Sequence, residues 1–371
     1  MKKLISLFIC VLFAFPAAVH AAEKPDISAQ SYVLYCPQSG SVILSENAEK
    51  RMKPASTTKL MTTLLTLEAA QRKNTALTFT REMSAEGSSM YLKYGEKLRL
   101  SDLAVGMMMC SGNDAANAAA LTIGKSSEIF AALMNKRAKQ LGMKNTHFVT
   151  PSGLDDDNHY STALDLALLM AAGLKNKAFR ELTAQKSAKV SFINPKDKTA
   201  TYNNHNKLLR LDPRCIGGKT GYTQAAGRCL VSAASQNGVT LICVTLNDRD
   251  DWNDHIALYD YGFSNISAYS PKKINLKIPC VGGGSDIVNA VCGNAEPILL
   301  GADESKRVKR KIVTESFLYA PVKKGGTVGS VEYYLDGRLL KSYKLTAEND
   351  IETEKVKTGF WQKIKELFNY G

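Results

Sequence analysis

Apolar positions change their spacing several times along this chain, and each change marks an element. A nearly continuous apolar run, Leu4 to Phe15, follows Lys2 and Lys3 and precedes the small residues Ala21 and Ala22. That order predicts a secretory signal peptide over 1–22, set against a retained anchor, and leaves about 350 residues to fold. "SYVLYCPQSGSVILSEN" alternates around a Pro-to-Gly turn and predicts two strands. From Ser56 the spacing becomes helical: Leu60, Met61, Leu64, Leu65 and Leu67 make a helix apolar on more than one side, hence a buried one. Residues 101–124 predict two interior helices broken at Ser111-Gly112-Asn113, the second almost all alanine, and 161–174 a Ser-capped helix. At 228–247 two apolar runs meet at Asn237-Gly238, a hairpin signal, and "WNDHIALYDYGF" predicts a closing helix.

Strands returning after a block of helices predict an α+β class, an antiparallel sheet with helices packed on it, over 23–265. From Ser270 the segments are short and alternating, with turns at Gly325-Gly326 and Asp336-Gly337, and predict a small all-β domain over 270–348. The end, 352–371, places Phe360, Trp361, Ile364, Leu367 and Phe368 at helical spacing, backed by Lys357, Lys363 and Lys365. This is the pattern of an amphipathic helix lying in a membrane surface; a helix docked on protein is the alternative.

Composition narrows the setting. The formal charge is +13, concentrated in the leader and in stretches such as "ESKRVKRK" at 304–311, which in an exported chain favours an anionic membrane or wall; no nucleic-acid motif is present. Beyond Cys10 there are seven cysteines without C-x-x-C spacing, which argues against a disulfide framework and against zinc. Cys280 and Cys292 flank a Gly-rich turn, so a bridge between them stays open. His147, His159, His205 and His255 lack ligand spacing, so no metal and no cofactor is assigned.

Candidate chemistry begins at "PASTTKLMT". Ser56 is a good helix cap by type, and also a candidate nucleophile with Lys59 one turn on. S-x-x-K alone decides nothing, since Ser270 to Lys273 repeats it; S-x-N recurs at Ser45 and Ser235, and K-T-G at Lys357. The order matters more: Ser56/Lys59 opens a helix, Ser111/Asn113 breaks two buried helices, and Lys219-Thr220-Gly221 precedes the hairpin. A serine needs a base, and a lysine serves as one only with its pKa lowered, by burial, a helix N-terminus or a second cation such as Lys219. Ser111 is a candidate proton relay and Asn113 a candidate to orient Lys59 and a substrate amide.

This trio resembles the serine penicillin-recognising enzymes, and most closely the low-molecular-mass penicillin-binding proteins, the D-alanyl-D-alanine carboxypeptidases. "ASTTKLMT", "GSSMYLKYGEKLRLSDL", Ser111 to Ala120, "TPSGLDDDNHYSTALDLALLM" and "KTGYTQAAGRCLV" resemble that family's blocks across essentially the whole mature chain. The resemblance implies removal of the terminal D-alanine from peptidoglycan stem pentapeptides through an acyl-serine, with β-lactams as covalent inhibitors, at the outer face of the cytoplasmic membrane. It implies Ser56 as nucleophile, Lys59 as base, Ser111 and Asn113 as the second catalytic element, and Lys219, Thr220, Gly221 and Tyr222 as substrate-binding, with Lys219, Thr220 and Gly221 on the strand that holds the substrate carboxylate and Lys219 as its cation. The backbone N–H groups of Ser56 and Tyr222 would form the oxyanion hole; Tyr222 departs from the family's frequent His. Arg249 is a further candidate for the substrate carboxylate, against a solvated surface arginine.

Three rivals remain. A class A β-lactamase needs a deacylating Glu in E-x-x-L-N, absent between the second and third motifs. A D,D-endopeptidase acting on cross-links shares the motifs. A catalytically silent wall-binding protein would be expected to have lost one of them.

Overall fold

The computed structural model describes residues 23–293, 295–301, 304–354 and 364–365. The signal peptide assigned to 1–22 and most of the terminal helix lie outside the described residues.

The chain opens with the hairpin β1 (Ser31–Cys36) and β2 (Ser41–Glu46). A 3-10 turn at Ala55–Thr58 leads into α1 (Lys59–Arg72). The short pair β3 (Ala76–Thr78) and β4 (Lys97–Arg99) brackets a long loop. Then come α2 (Leu100–Met109), α3 (Asn113–Gly124), α4 (Ser127–Gln140), α5 (Ala163–Lys175) and α6 (Lys177–Thr183). A second small hairpin, β5 (Ser187–Ser191) and β6 (Thr199–Asn203), and α7 (Leu208–Leu211) lead to β7 (Cys215–Thr223). β8 (Gly227–Gln236), β9 (Val239–Asp248) and α8 (Asp251–Asn265) complete the unit.

Five strands form one antiparallel sheet in the order β2-β1-β9-β8-β7. β1 is buried at every position because helices cover both faces of the sheet. Val33 and Tyr35 face a core shared with α1, α2, α3 and α5, whereas Tyr32, Leu34 and Cys36 face the core under Leu258 and Tyr259 of α8. Period-two alternation thus serves two cores at once. α3 lies inside the helical layer with Ala115, Ala116, Ala118, Ala119 and Ala120 fully buried, since only alanine admits so close an approach. Asn237 and Gly238 turn β8 into β9 with φ of 50° and 81°, the left-handed pair a two-residue hairpin requires.

Three local readings change. Ser56 caps no helix: the 3-10 turn has no side-chain cap, and the α-helix starts only at Lys59. α5 is capped by Thr162, which accepts from Asp165 N at 3.0 Å, while Ser161 faces the Thr146 hydroxyl at 2.8 Å. α4, whose apolar stripe Phe130, Ala131, Met134 and Ala138 packs inward, was not singled out from the sequence.

Beyond α8, β10 (Ile266–Tyr269) pairs with β13 (Ile298–Gly301). The rest is a six-stranded sheet of β11 (Ile274–Val281), β12 (Ile287–Cys292), β14 (Val308–Thr314), β15 (Leu318–Tyr319), β16 (Thr327–Leu335) and β17 (Arg338–Ala347). Its own core contains Ile278, Val288, Val331, Tyr333 and Leu345. Cys280 and Cys292 are both free: the register sets Cys292 against Ile274, six residues along the strand from Cys280, about 20 Å. The open bridge is therefore excluded by geometry. Ile351 and Thr353 bridge to Val322 and Gly283, so 352–354 continue the β domain rather than begin a helix; of the remaining tail, 364 and 365 are described and helical.

Candidate active site

The turn that carries Ser56 is held in an unfavourable shape. Ala55 has φ of 47°, in the left-handed region where a β-carbon costs roughly 1–2 kcal/mol. Ser111, at the break between α2 and α3, has φ of 58°. Strain of this kind persists only where the surroundings over-determine it, and here it falls on the first residue of the second motif and on the neighbour of the first.

Two glycines show how tightly the parts fit. A Cβ on Gly153 would stand 1.9 Å from the Ala55 carbonyl oxygen, and its φ of 82° already excludes most side chains. A Cβ on Gly221 would stand 3.0 Å from Ser56 N, so β7 passes main chain to main chain beside the nucleophile turn. β7 is an edge strand of the sheet, which leaves one side of its backbone without a strand neighbour.

Ser56, Ser88, Ser111, His205, Thr220, Gly221 and Tyr222 line one cavity of about 320 Å³, with Arg228, Asp251 and Trp252. Lys59 lies directly behind it. Its Nζ is 2.8 Å from Ser56 Oγ and donates to the Ser152 carbonyl at 2.7 Å. Lys59 is fully buried, and burial first, then the charge of Lys219, hold its pKa well below an ordinary lysine's. A neutral amine keeps N–H for Ser152 and a lone pair for the Ser56 hydroxyl proton, which is what a base requires. Lys219 is buried too and donates to the Thr220 carbonyl at 2.7 Å; burial pulls it down to about 7.

Two supports were missed in the sequence. Asp114, directly after the S-x-N element, accepts from Ser89 Oγ at 2.6 Å, Met90 N at 2.9 Å and Leu92 N at 3.2 Å, and so fixes the loop before β4. That loop meets Asn113 twice: Asn113 N donates to Ser88 O at 2.7 Å and Nδ2 to Glu86 O at 2.6 Å. Asn113 Oδ1 is buried with no hydrogen-bond partner among the described residues. His159, set aside as a non-ligand, accepts at Nδ1 from Val149 N and Thr150 N at 3.1 and 3.2 Å. Its Nε2 then carries the proton and donates to Thr58 Oγ1 at 2.9 Å. Burial lowers it to about 4, so it stays neutral while holding the loop whose Ser152 carbonyl receives Lys59. Their sequence signal was only adjacency to a motif.

Arg249 is exposed and does not line the cavity. Tyr222 is 67 % exposed, so its side chain leaves the cavity wall largely to its main chain.

Residues 18–250 match the family model described as D-alanyl-D-alanine carboxypeptidase. The chain belongs to the D-alanyl-D-alanine carboxypeptidases. Residues 263–353 match a second model, the C-terminal domain of penicillin-binding protein 5. Similar relatives include the D-alanyl-D-alanine carboxypeptidase DacF of Bacillus subtilis, 30% identical over 98% of this chain and 100% of that one, and DacC of Escherichia coli, 33% identical over 93% and 90%. Among solved structures, penicillin-binding protein 5 of Haemophilus influenzae superposes with a TM-score of 0.69 at 29% identity, covering 89% of this chain and 99% of that one. The Streptomyces K15 DD-transpeptidase superposes at 0.62 with 30% identity over 65% of this chain and all of that one. This carboxypeptidase combines the penicillin-binding fold with an all-β C-terminal domain.

Proposed function

We propose that this carboxypeptidase removes the terminal D-alanine of peptidoglycan stem pentapeptides with Ser56 as nucleophile. The carrying observation is the 2.8 Å contact between Ser56 Oγ and a buried, low-pKa Lys59 in the wall of the cavity. Lys59 takes the hydroxyl proton as Oγ attacks the carbonyl carbon of the penultimate D-alanine. Ser56 N and Tyr222 N stabilise the oxyanion; the close approach of Gly221, the neighbour of Tyr222, to Ser56 N supports this. Ser111 passes the proton to the departing amine, and water then hydrolyses the acyl-serine. The buried Asn113 Oδ1 is an acceptor for a substrate N–H, and Lys219, Thr220 and Gly221 form the strand along which the peptide lies. A β-lactam meets the same hydroxyl, and its opened ring stays attached.

The test is D-alanine release from a soluble pentapeptide and cleavage of a cross-linked dimer into its monomers, with intact-mass and peptide mapping after penicillin. Release from the pentapeptide together with a penicilloyl adduct on the Ser56 peptide is the expected result. Cleavage of the dimer without D-alanine release from the pentapeptide would make this an endopeptidase, rapid penicillin turnover without release a β-lactamase, and neither activity a silent wall-binding protein.

The division into a leader (1–22), a catalytic unit (23–265), a β unit from 270, which the strand bridges carry past 348 to 354, and a terminal anchor belongs to the same proposal. Among the described residues no helix is long and apolar enough to cross a membrane. The aromatic and lysine pattern after Glu354 instead supports peripheral attachment to the outer face of the cytoplasmic membrane, with the β unit as a stalk. The full chain should sediment with anionic vesicles, and a chain ending at Glu354 should stay in solution with its D-alanine release intact. Both staying in solution would end the anchor reading.

A further inference from the structure

At one end of the six-stranded sheet four large apolar side chains stay exposed: Val281 at 50%, Ile287 at 43%, Phe317 at 43% and Tyr319 at 70%. The register puts them on one face. β11 and β15 run parallel, with Cys280 opposite Leu318, which turn to the domain core, and Val281 opposite Tyr319, which therefore turn away from it. Pro279, two residues before Val281 on the same face, stands opposite Ile287 of β12. The Phe317 ring meets the Tyr319 ring edge-on, with 5.2 Å between centroids. Single exposed apolar residues are ordinary, but a strip that crosses three strands, about 10 Å, and carries two aromatic rings calls for a cover.

The chain leaves the sheet beside this strip. Glu354 N donates to Gly282 O at 3.0 Å and Thr353 bridges Gly283, the two residues that follow Val281. Only 355–359 separate Glu354 from Phe360, a reach of about 20 Å. The stripe Phe360, Trp361, Ile364, Leu367 and Phe368 would run about 12 Å along a helix, close to the width of the strip. Charge selects the cover. Residues 279–287, 315–324 and 350–354, which build this end of the domain, hold five carboxylates against Lys323 and Lys324, and Lys323 is already bonded to Glu352 at 2.7 Å. Lys277 lies farther along β11, opposite Asn289. Such an acidic rim repels an anionic bilayer and a second copy of itself. The tail 355–371 is the reverse, with four lysines and one glutamate.

We infer that the tail has a second seat on its own chain: away from a membrane its aromatic stripe docks on the strip of Val281, Ile287, Phe317 and Tyr319, with its lysines against the acidic rim. Docking competes with entry into a bilayer, so it weakens membrane binding in proportion to the fraction of tails held. The inference deepens the anchor reading and shares only its vesicle readout with it.

The test uses the full chain carrying Trp252→Phe, which leaves Trp361 as its one tryptophan. In buffer without lipid, Trp361 emission should be blue-shifted and its acrylamide quenching several-fold below that of a peptide of residues 355–371. Phe317→Ser with Tyr319→Ser, both at exposed positions, should raise quenching to the peptide's level, and Asp286→Asn with Glu315→Gln should raise it partway; thermal unfolding checks that both chains stay folded. On vesicles containing anionic lipid, the Phe317→Ser, Tyr319→Ser chain should bind about 5- to 10-fold more tightly than the wild type, because nothing competes for the tail. Wild-type quenching equal to the peptide's, or protection that neither pair of substitutions reduces, would overturn the docked tail. Weaker vesicle binding by the Phe317→Ser, Tyr319→Ser chain would make the strip a membrane contact, and protection that grows with protein concentration would make the occupant a second copy; either result overturns the inference. Failure of every chain to bind vesicles would end the anchor reading and leave the quenching to decide the docked tail by itself.

Discussion

Ser56→Ala should lower D-alanine release by about 10⁴- to 10⁶-fold and abolish the penicilloyl adduct, while leaving the protein folded. The size follows from the role: without the hydroxyl there is no acyl intermediate, and only binding and oxyanion stabilisation remain. The retained fold follows from the surroundings. Ser56 Oγ contacts Lys59 and caps nothing, and Lys59 keeps its bond to Ser152 O when the hydroxyl is gone. The expected stability change is within about 1 kcal/mol, that of a small deletion outside the core. Thermal unfolding and peptide mapping of the penicillin-treated variant check both halves. An adduct that persists on the Ser111 peptide would transfer the nucleophile to the second motif.

Much of the catalytic unit was legible because its elements carry strong local signals. Asn237-Gly238 needs two left-handed residues and has the types that supply them. The all-alanine run of α3 announces close packing, and the apolar sides of α1 announce burial. The three motifs were legible as chemistry because a hydroxyl and an amine one turn apart need little tertiary context to meet. What stayed hidden depends on distant chain. His159 bonds Thr58 across 101 residues, and Asp114 gathers a loop more than twenty residues upstream; neither spacing leaves a periodic trace. Arg228 and Asp251 sit on different elements and meet only once α8 packs on the sheet. Ser56 as a cap failed for the opposite reason: a favourable local preference gave way to a turn shaped by Gly153 and Gly221.

Lys59→Met should cost about 10²- to 10⁴-fold in kcat, with little change in binding of an unreactive peptide. Methionine matches the length and fits a fully buried site without a charge to desolvate, so the loss isolates the missing lone pair from packing. Its pH behaviour identifies the base. In the wild type, kcat/KM should rise on the acid side as Lys59 loses its proton, at a pH well below that of an ordinary lysine, because burial and the Lys219 charge both disfavour the ammonium. It should fall above about 7 as Lys219 gives up the charge that the substrate strand requires. Lys219→Gln removes one cause of the Lys59 shift, so the acid limb should move to higher pH and the alkaline limb vanish from the residual activity. An acid limb that stays in place in Lys219→Gln would mean that the two amines are uncoupled, and a Lys59→Met variant retaining the wild-type acid limb would assign the base to another residue.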